Sequence, residues 1–148
     1  MGSERYRAAR TIICDLVPRI IERAAAAGFE SKWEWRKRNL TFTGTKESLG
    51  IAIARYLPTR QGTSPHWVAH TKHRVKPNLL LVIKMDSSNR KPTAYYVLPR
   101  YVIADEHTYF DRRGLFEEYR CKGRAEAIRR CVALGGALQA QSPNLPIE

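Results

Sequence analysis

The sequence predicts an α/β domain: a central mixed β-sheet of about five strands, flanked by an N-terminal helix and by C-terminal helices. Three observations predict it. Apolar residues recur at helical spacing up to Ala27; short runs of β-forming residues alternate with turn residues from Asn39 to Leu98; and helix formers return beyond Pro99. With 148 residues, 43% of them hydrophobic, the chain can bury one core and is short for a second. We therefore read residues 1–138 as a single domain, and 139–148, with Ser142, Pro143 and Pro146, as a fraying tail.

The first helix runs from a cap at Ser3 to about Ala27, with Ile12, Ile13, Leu16, Val17, Ile20, Ile21 and Ala24 as its buried stripe and Gly28 as its stop. Pro18 should kink or split it, because proline removes a helical hydrogen bond. Glu30 to Arg38 mixes Trp33 and Trp35 with Lys32, Arg36, Lys37 and Arg38. Two readings fit this segment: an opening strand with both indoles packed inward, or a surface that stacks bases and holds phosphates.

Asn39 to Thr43 and Leu49 to Leu57 form a hairpin across Gly44-Thr45-Lys46-Glu47, a turn without the spacing or the following helix of a phosphate-binding loop. Pro58 to Pro65 is a loop, and His66 to His73 a third strand. Asn78 to Met85 is a fourth, buried on both faces because its apolar run is continuous. After the polar turn Asp86 to Pro92 comes a fifth strand, Thr93 to Leu98, and helices are expected near Gly114 to Tyr119 and Ala125 to Leu134.

Charge is the best clue to function. The net charge is +12, and Leu49 to Ala104 holds nine lysines and arginines against one acid, Asp86. An ordered basic sheet fits a polyanion, so nucleic acid is the expected partner, DNA ahead of RNA. Arg55, Arg60, Lys72, Arg74, Lys76, Arg90 and Lys91 are the phosphate candidates, joined by Arg36 and Arg38, with Trp33, Trp35 and Trp67 for stacking. No apolar run approaches the roughly 20 residues that cross a bilayer, and charges begin at Glu4 where a signal peptide would be apolar. A cytoplasmic protein without a membrane partner is expected.

Cys14, Cys121 and Cys131 are odd in number and widely spaced, which indicates neither a disulfide framework nor a zinc knuckle. Cys14, in the apolar part of the first helix, reads as a small core residue. His66, His70 and His73 would share a helix face, but their β-forming neighbours place them on a strand. There His66 and His70 stand about 13 Å apart and His73 points to the opposite side. They read as surface phosphate donors, and no metal or cofactor is expected.

The order of helix, hairpin and strand pair resembles the PD-(D/E)XK, or restriction-endonuclease-like, superfamily. The residues that carry the resemblance are Ala27-Gly28-Phe29, Arg38-Asn39-Leu40, Ile51-Ala52-Ile53-Ala54-Arg55, Leu79 to Ile83 and Ala94 to Arg100. It implies an acid on the first hairpin strand and an acid-x-Lys on the second, which together hold Mg²⁺ and position the attacking water. The first position falls near Asn39 and the second is Ile53-Ala54-Arg55, so only a cation remains. The triplets Glu30-Ser31-Lys32, Glu34-Trp35-Arg36 and Asp111-Arg112-Arg113 lie outside that strand. The expectation is a nuclease-like scaffold that binds without cutting. One alternative is a Mg²⁺-dependent endonuclease with a rearranged site of Glu22, Glu47, Asp86 and Arg55. Another is a protein-interaction subunit of a nucleic-acid-processing or defence system, as a homodimer or part of a larger complex.

Overall fold

Helix α1, Gly2–Ala26, presents Ala9, Ile13, Leu16, Val17, Ile20 and Ala24 as one buried stripe. It ends as the glycine after it dictates. Gly28, at φ +97°, donates to the Ala25 carbonyl, and Phe29 donates to that of Ala24 at 2.9 Å, the paired closure that a left-handed residue makes possible. Phe29 then meets Phe42 edge-to-face. Pro18 does not split the helix. Proline costs the bond to the Cys14 carbonyl, but both residues are on the exposed face, where water can satisfy that oxygen.

The structure, a computed structural model, describes residues 2–42, 48–57, 66–70, 77–103, 107–110 and 116–140, without the side chains of 2–6, 107, 109 and 136–140. The expected loop at Pro58 to Pro65, the turn at Gly44 to Glu47, His73, Asp111 to Arg113 and the tail beyond Ala140 lie outside these residues. No helix among them is long and apolar enough to cross a membrane.

Among the described residues, eight strands form one mixed sheet: β1 Ser31–Glu34, β2 Asn39–Phe42, β3 Ser48–Leu57, β4 His66–His70, β5 Leu79–Met85, β6 Pro92–Pro99, β7 His107–Phe110 and β8 Arg120–Cys121. The order is β1-β2-β3-β5-β6-β8, with β4 paired to β3 and β7 to β4. Of the neighbouring pairs, β3 and β5 are parallel and the others antiparallel. The predicted strands stand at their expected places and β5 is interior, buried at every residue but Lys84. Strands β1, β7 and β8 go beyond the expected five; β1 follows the strand reading of Glu30 to Arg38. Of the region expected to be helical near Gly114 to Tyr119, the described residues 116–119 hold a 3₁₀ turn, Glu117–Tyr119, while helix α2, Arg124–Ala140, continues past the predicted end.

Strand alternation sorts the core into two layers. Leu49, Ile51 and Ile53 of β3 and Leu79, Leu81 and Ile83 of β5 face α1 and α2. Ala52, Ala54, Leu80, Val82 and Tyr96 face the other way, under Ile103, Phe110 and Phe116 from the chain that follows β6. The two helices therefore share one side, where Asp15 of α1 pairs with Arg124 of α2. Helix α2 packs closely on the sheet: a Cβ on Gly135 would stand 2.6 Å from the fully buried Phe42 ring of β2.

Cys14 is a correction. It is exposed, whereas Cys121 and Cys131 are buried. The residue follows Ile13 by about 100° around the helix and so falls outside the stripe despite its apolar neighbours. Burial raises the pKa of both interior thiols. In the native protein one thiol per chain, that of Cys14, should react rapidly with a disulfide reagent, and all three should react in denaturant. Rapid native labelling that survives Cys14→Ser would contradict this assignment.

Candidate nucleic-acid interface

The β1–β2 turn is Trp35-Arg36-Lys37-Arg38. Its closing bond runs from the Arg38 N–H to the Trp35 carbonyl, 3.2 Å, with Arg38 in the left-handed region at φ +47°. Three successive cationic residues are thereby placed at one corner of the sheet. The Arg38 carbonyl accepts from Ile51 N–H at 3.0 Å and makes the last rung from this hairpin to β3.

Beyond that rung the sheet divides. On one edge of β3, β2 is in register with Ser48 to Gly50, and β4 with Ala54 to Leu57. Ala52 and Ile53 fall between them; on that edge no strand among the described residues is in register with them, although β5 pairs with both on the other edge. A groove of about 340 Å³ opens at this gap. Its floor is Ile51, Ala52 and Ile53, and its polar walls are Arg36, Lys37, Arg38, Arg55 and His70. Among the described residues, none that lines it is acidic. Glu34 stands 3.8 Å from Lys37, but both side chains are more than half exposed, and such a surface pair contributes little and is screened by salt.

Arg36, Arg38 and Arg55, three of the predicted phosphate ligands, meet in this groove. Lys37 and His70 complete it; His70 was expected as a surface phosphate donor, and Lys37 stood in the cationic segment Glu30 to Arg38 without being singled out. Trp35, which precedes Arg36 in the turn, is exposed and does not line the groove; the guanidinium carbon of Arg10 is 5.0 Å from its ring centroid. Arg10 had no signal in the sequence beyond being a helix-surface cation. Trp33 is half-buried and packs on the helix-side core, and Trp67 is half-buried on the opposite layer. Arg90 and Lys91 are exposed in the turn after β5 and do not line the groove. Arg60, Lys72, Arg74 and Lys76 lie outside the described residues.

That turn is organised by its own acid. The Asp86 carboxylate accepts from the backbone N–H groups of Arg90 at 2.9 Å and Lys91 at 3.3 Å and from Ser88 Oγ at 2.9 Å. The Arg90 N–H is the chief reason its pKa lies below the ordinary 3.8, with lesser help from Lys91 and Ser88 against the opposing effect of desolvation. Because the folded value is the lower one, the stabilisation is complete above the ordinary carboxylate pKa and is lost as pH falls through the folded value. Urea midpoints measured below about pH 5 should therefore fall less steeply with acid for Asp86→Asn than for the natural protein.

Asn89, at φ +58° and 4% exposed, anchors the same turn to β3. Its Oδ1 accepts from Tyr56 N–H at 2.7 Å and its Nδ2 donates to the Tyr56 carbonyl at 3.1 Å, so one carboxamide continues the ladder where β5 ends. With both Tyr56 backbone groups turned to that side, Tyr56 and Trp67 across to β4 form a non-hydrogen-bonded pair. Such pairs hold side chains close, and the two rings are 5.1 Å apart.

Of the residues weighed for metal chemistry, Asp86 is held by its turn, Glu22 is exposed on α1, and Glu47 lies outside the described residues. Among the described residues no three His, Cys, Asp or Glu side chains are grouped to hold a metal ion. Ile53, which the sequence resemblance would place at a carboxylate position, lines the groove. Asn39, at the other such position, has its Oδ1 buried and without a hydrogen-bond partner among the described residues.

No protein-family model and no curated protein matches this chain. Among solved structures, a bacterial homing endonuclease has a similar backbone, with 16% sequence identity and a TM-score of 0.48, over 86% of this chain and 93% of that one.

Proposed function

We propose that this chain binds nucleic acid, DNA in the first instance, by holding backbone phosphates in the groove between β2 and β4. One observation carries the reading: Arg36, Lys37, Arg38 and Arg55 converge with His70 on a single cleft that, among the described residues, no carboxylate lines. Guanidinium and ammonium groups in such a cleft neutralise phosphates and release condensed counterions. The net charge of +12 draws a polyanion toward the cleft over longer range. The sequence resemblance to restriction-endonuclease-like proteins supports the same reading, with the scaffold kept and an isoleucine in place of a metal-binding acid.

A salt titration tests it. The logarithm of the binding constant for duplex DNA should fall linearly with the logarithm of salt concentration, with a slope of about −0.9 for each phosphate held. A flat response would contradict phosphate binding. Incubation of plasmid with Mg²⁺ should leave it uncut. Cleavage that disappears in Glu22→Gln or Glu47→Gln would replace this reading with that of an endonuclease.

A further inference from the structure

The three tryptophans have different surroundings. Trp33 packs against the core, its Nε1 buried. Trp67 donates its indole N–H to the Met85 carbonyl at 2.8 Å and carries the Lys84 ammonium 4.0 Å above its ring. Trp35 is 38% exposed, and the bond that closes its turn uses only its backbone carbonyl. Nothing in the turn requires an indole there.

The ring is nevertheless held. Trp33 meets it at 84° with centroids 5.5 Å apart, and the Arg10 guanidinium lies over it. In sequence it directly precedes Arg36, Lys37 and Arg38, the cations of the groove. A supported, partly exposed aromatic ring one residue along the chain from the cations of a phosphate cleft matches what a single strand offers, a flat base attached to a charged backbone. A duplex offers the phosphates alone, because its bases are stacked and paired inside.

We propose that Trp35 is the stacking platform for one unpaired nucleobase, and that the interface therefore prefers single-stranded nucleic acid to duplex. The proposal rests on the phosphate-binding reading of the groove. Arg10 also belongs to the platform: its guanidinium supports the ring and adds a cation near the strand.

The test uses the full chain, a fluorescein-labelled single strand of about 15 nucleotides and a duplex of the same sequence, within the usual footprint of single-strand binders. Affinities are measured by anisotropy at one salt concentration. Trp35→Leu should weaken single-strand binding about 10-fold or more, leave duplex binding within about 2-fold and leave the salt slope unchanged, while Trp35→Phe keeps most of the affinity. Intrinsic fluorescence should be quenched by the single strand, and less so in Trp35→Phe. Circular dichroism confirms that the surface variants fold.

An equal loss on both substrates, or no loss on either, would overturn the stacking role. If both substrates bind with a steep salt dependence and Trp35→Leu changes nothing, this inference fails and the groove stands. If the natural protein binds neither, both readings fail.

Discussion

Replacing Arg36, Lys37 and Arg55 together by glutamine should lower affinity for DNA about 100-fold at roughly 0.15 M salt and reduce the salt slope by about 3. The size follows from counterion release. Each phosphate contact contributes about 0.9 to the slope, which at that salt concentration amounts to roughly 5-fold in affinity, and three contacts multiply. All three side chains line the groove. The loss should be nearly uniform across DNA sequences, because phosphate contacts carry no base information. Arg38 calls for a different substitution. Its φ of +47° favours glycine, so Arg38→Gly removes the cation while keeping the turn conformation. A triple variant that binds as tightly as the natural protein, with an unchanged slope, would remove the groove from the interface.

Asn89→Ala should destabilise the fold by about 3 kcal/mol, roughly 10 °C in Tm for a domain of this size. Two effects combine. Loss of the carboxamide leaves the Tyr56 N–H and carbonyl without the partners they have at 2.7 and 3.1 Å. Alanine also tolerates φ +58° less well than asparagine, at a cost of about 1 kcal/mol. Asn89→Gly separates the two, since glycine adopts that conformation and still lacks the amide. It should recover about 1 kcal/mol of the loss and no more. The effect bears on the interface as well, because Tyr56 follows Arg55 on β3. Urea unfolding of both variants is the check, and a loss below about 1 kcal/mol would mean that water replaces the amide at little cost.

Much of this fold was legible because the residues concerned act locally. The continuous apolar run Leu79 to Ile83 marks an interior strand, and Gly28 after the first helix marks a left-handed stop, each for a reason contained in a few neighbouring residues. Strand β8 was not legible. It has two residues, and only its pairing with Tyr95 and Tyr96 makes it a strand. Strand β7 likewise takes its character from β4, its partner. Cys14 was misassigned because hydrophobicity was weighed without its angular position on the helix.

The site divides in the same way. Arg36 to Arg38 were recognisable as a cationic cluster in the chain, and Arg55 as the cation left in a carboxylate-free motif. Their meeting with His70 depends on β2 and β4 leaving a gap along one edge of β3, and that is set by two registers many residues apart. Arg10 is further still, since only the packing of α1 against β1 brings it to Trp35.

The most direct test of the central claim is to locate bound DNA on the protein. At 17.0 kDa the chain suits amide NMR. Titration with a short oligonucleotide should shift the resonances of Arg36 to Arg38, of Ile51 to Arg55 and of His70, and leave the Arg90–Lys91 turn and helix α2 nearly unchanged. Shifts centred on that turn or on α2, with the groove amides unmoved, would contradict the claim that this cleft holds the nucleic acid.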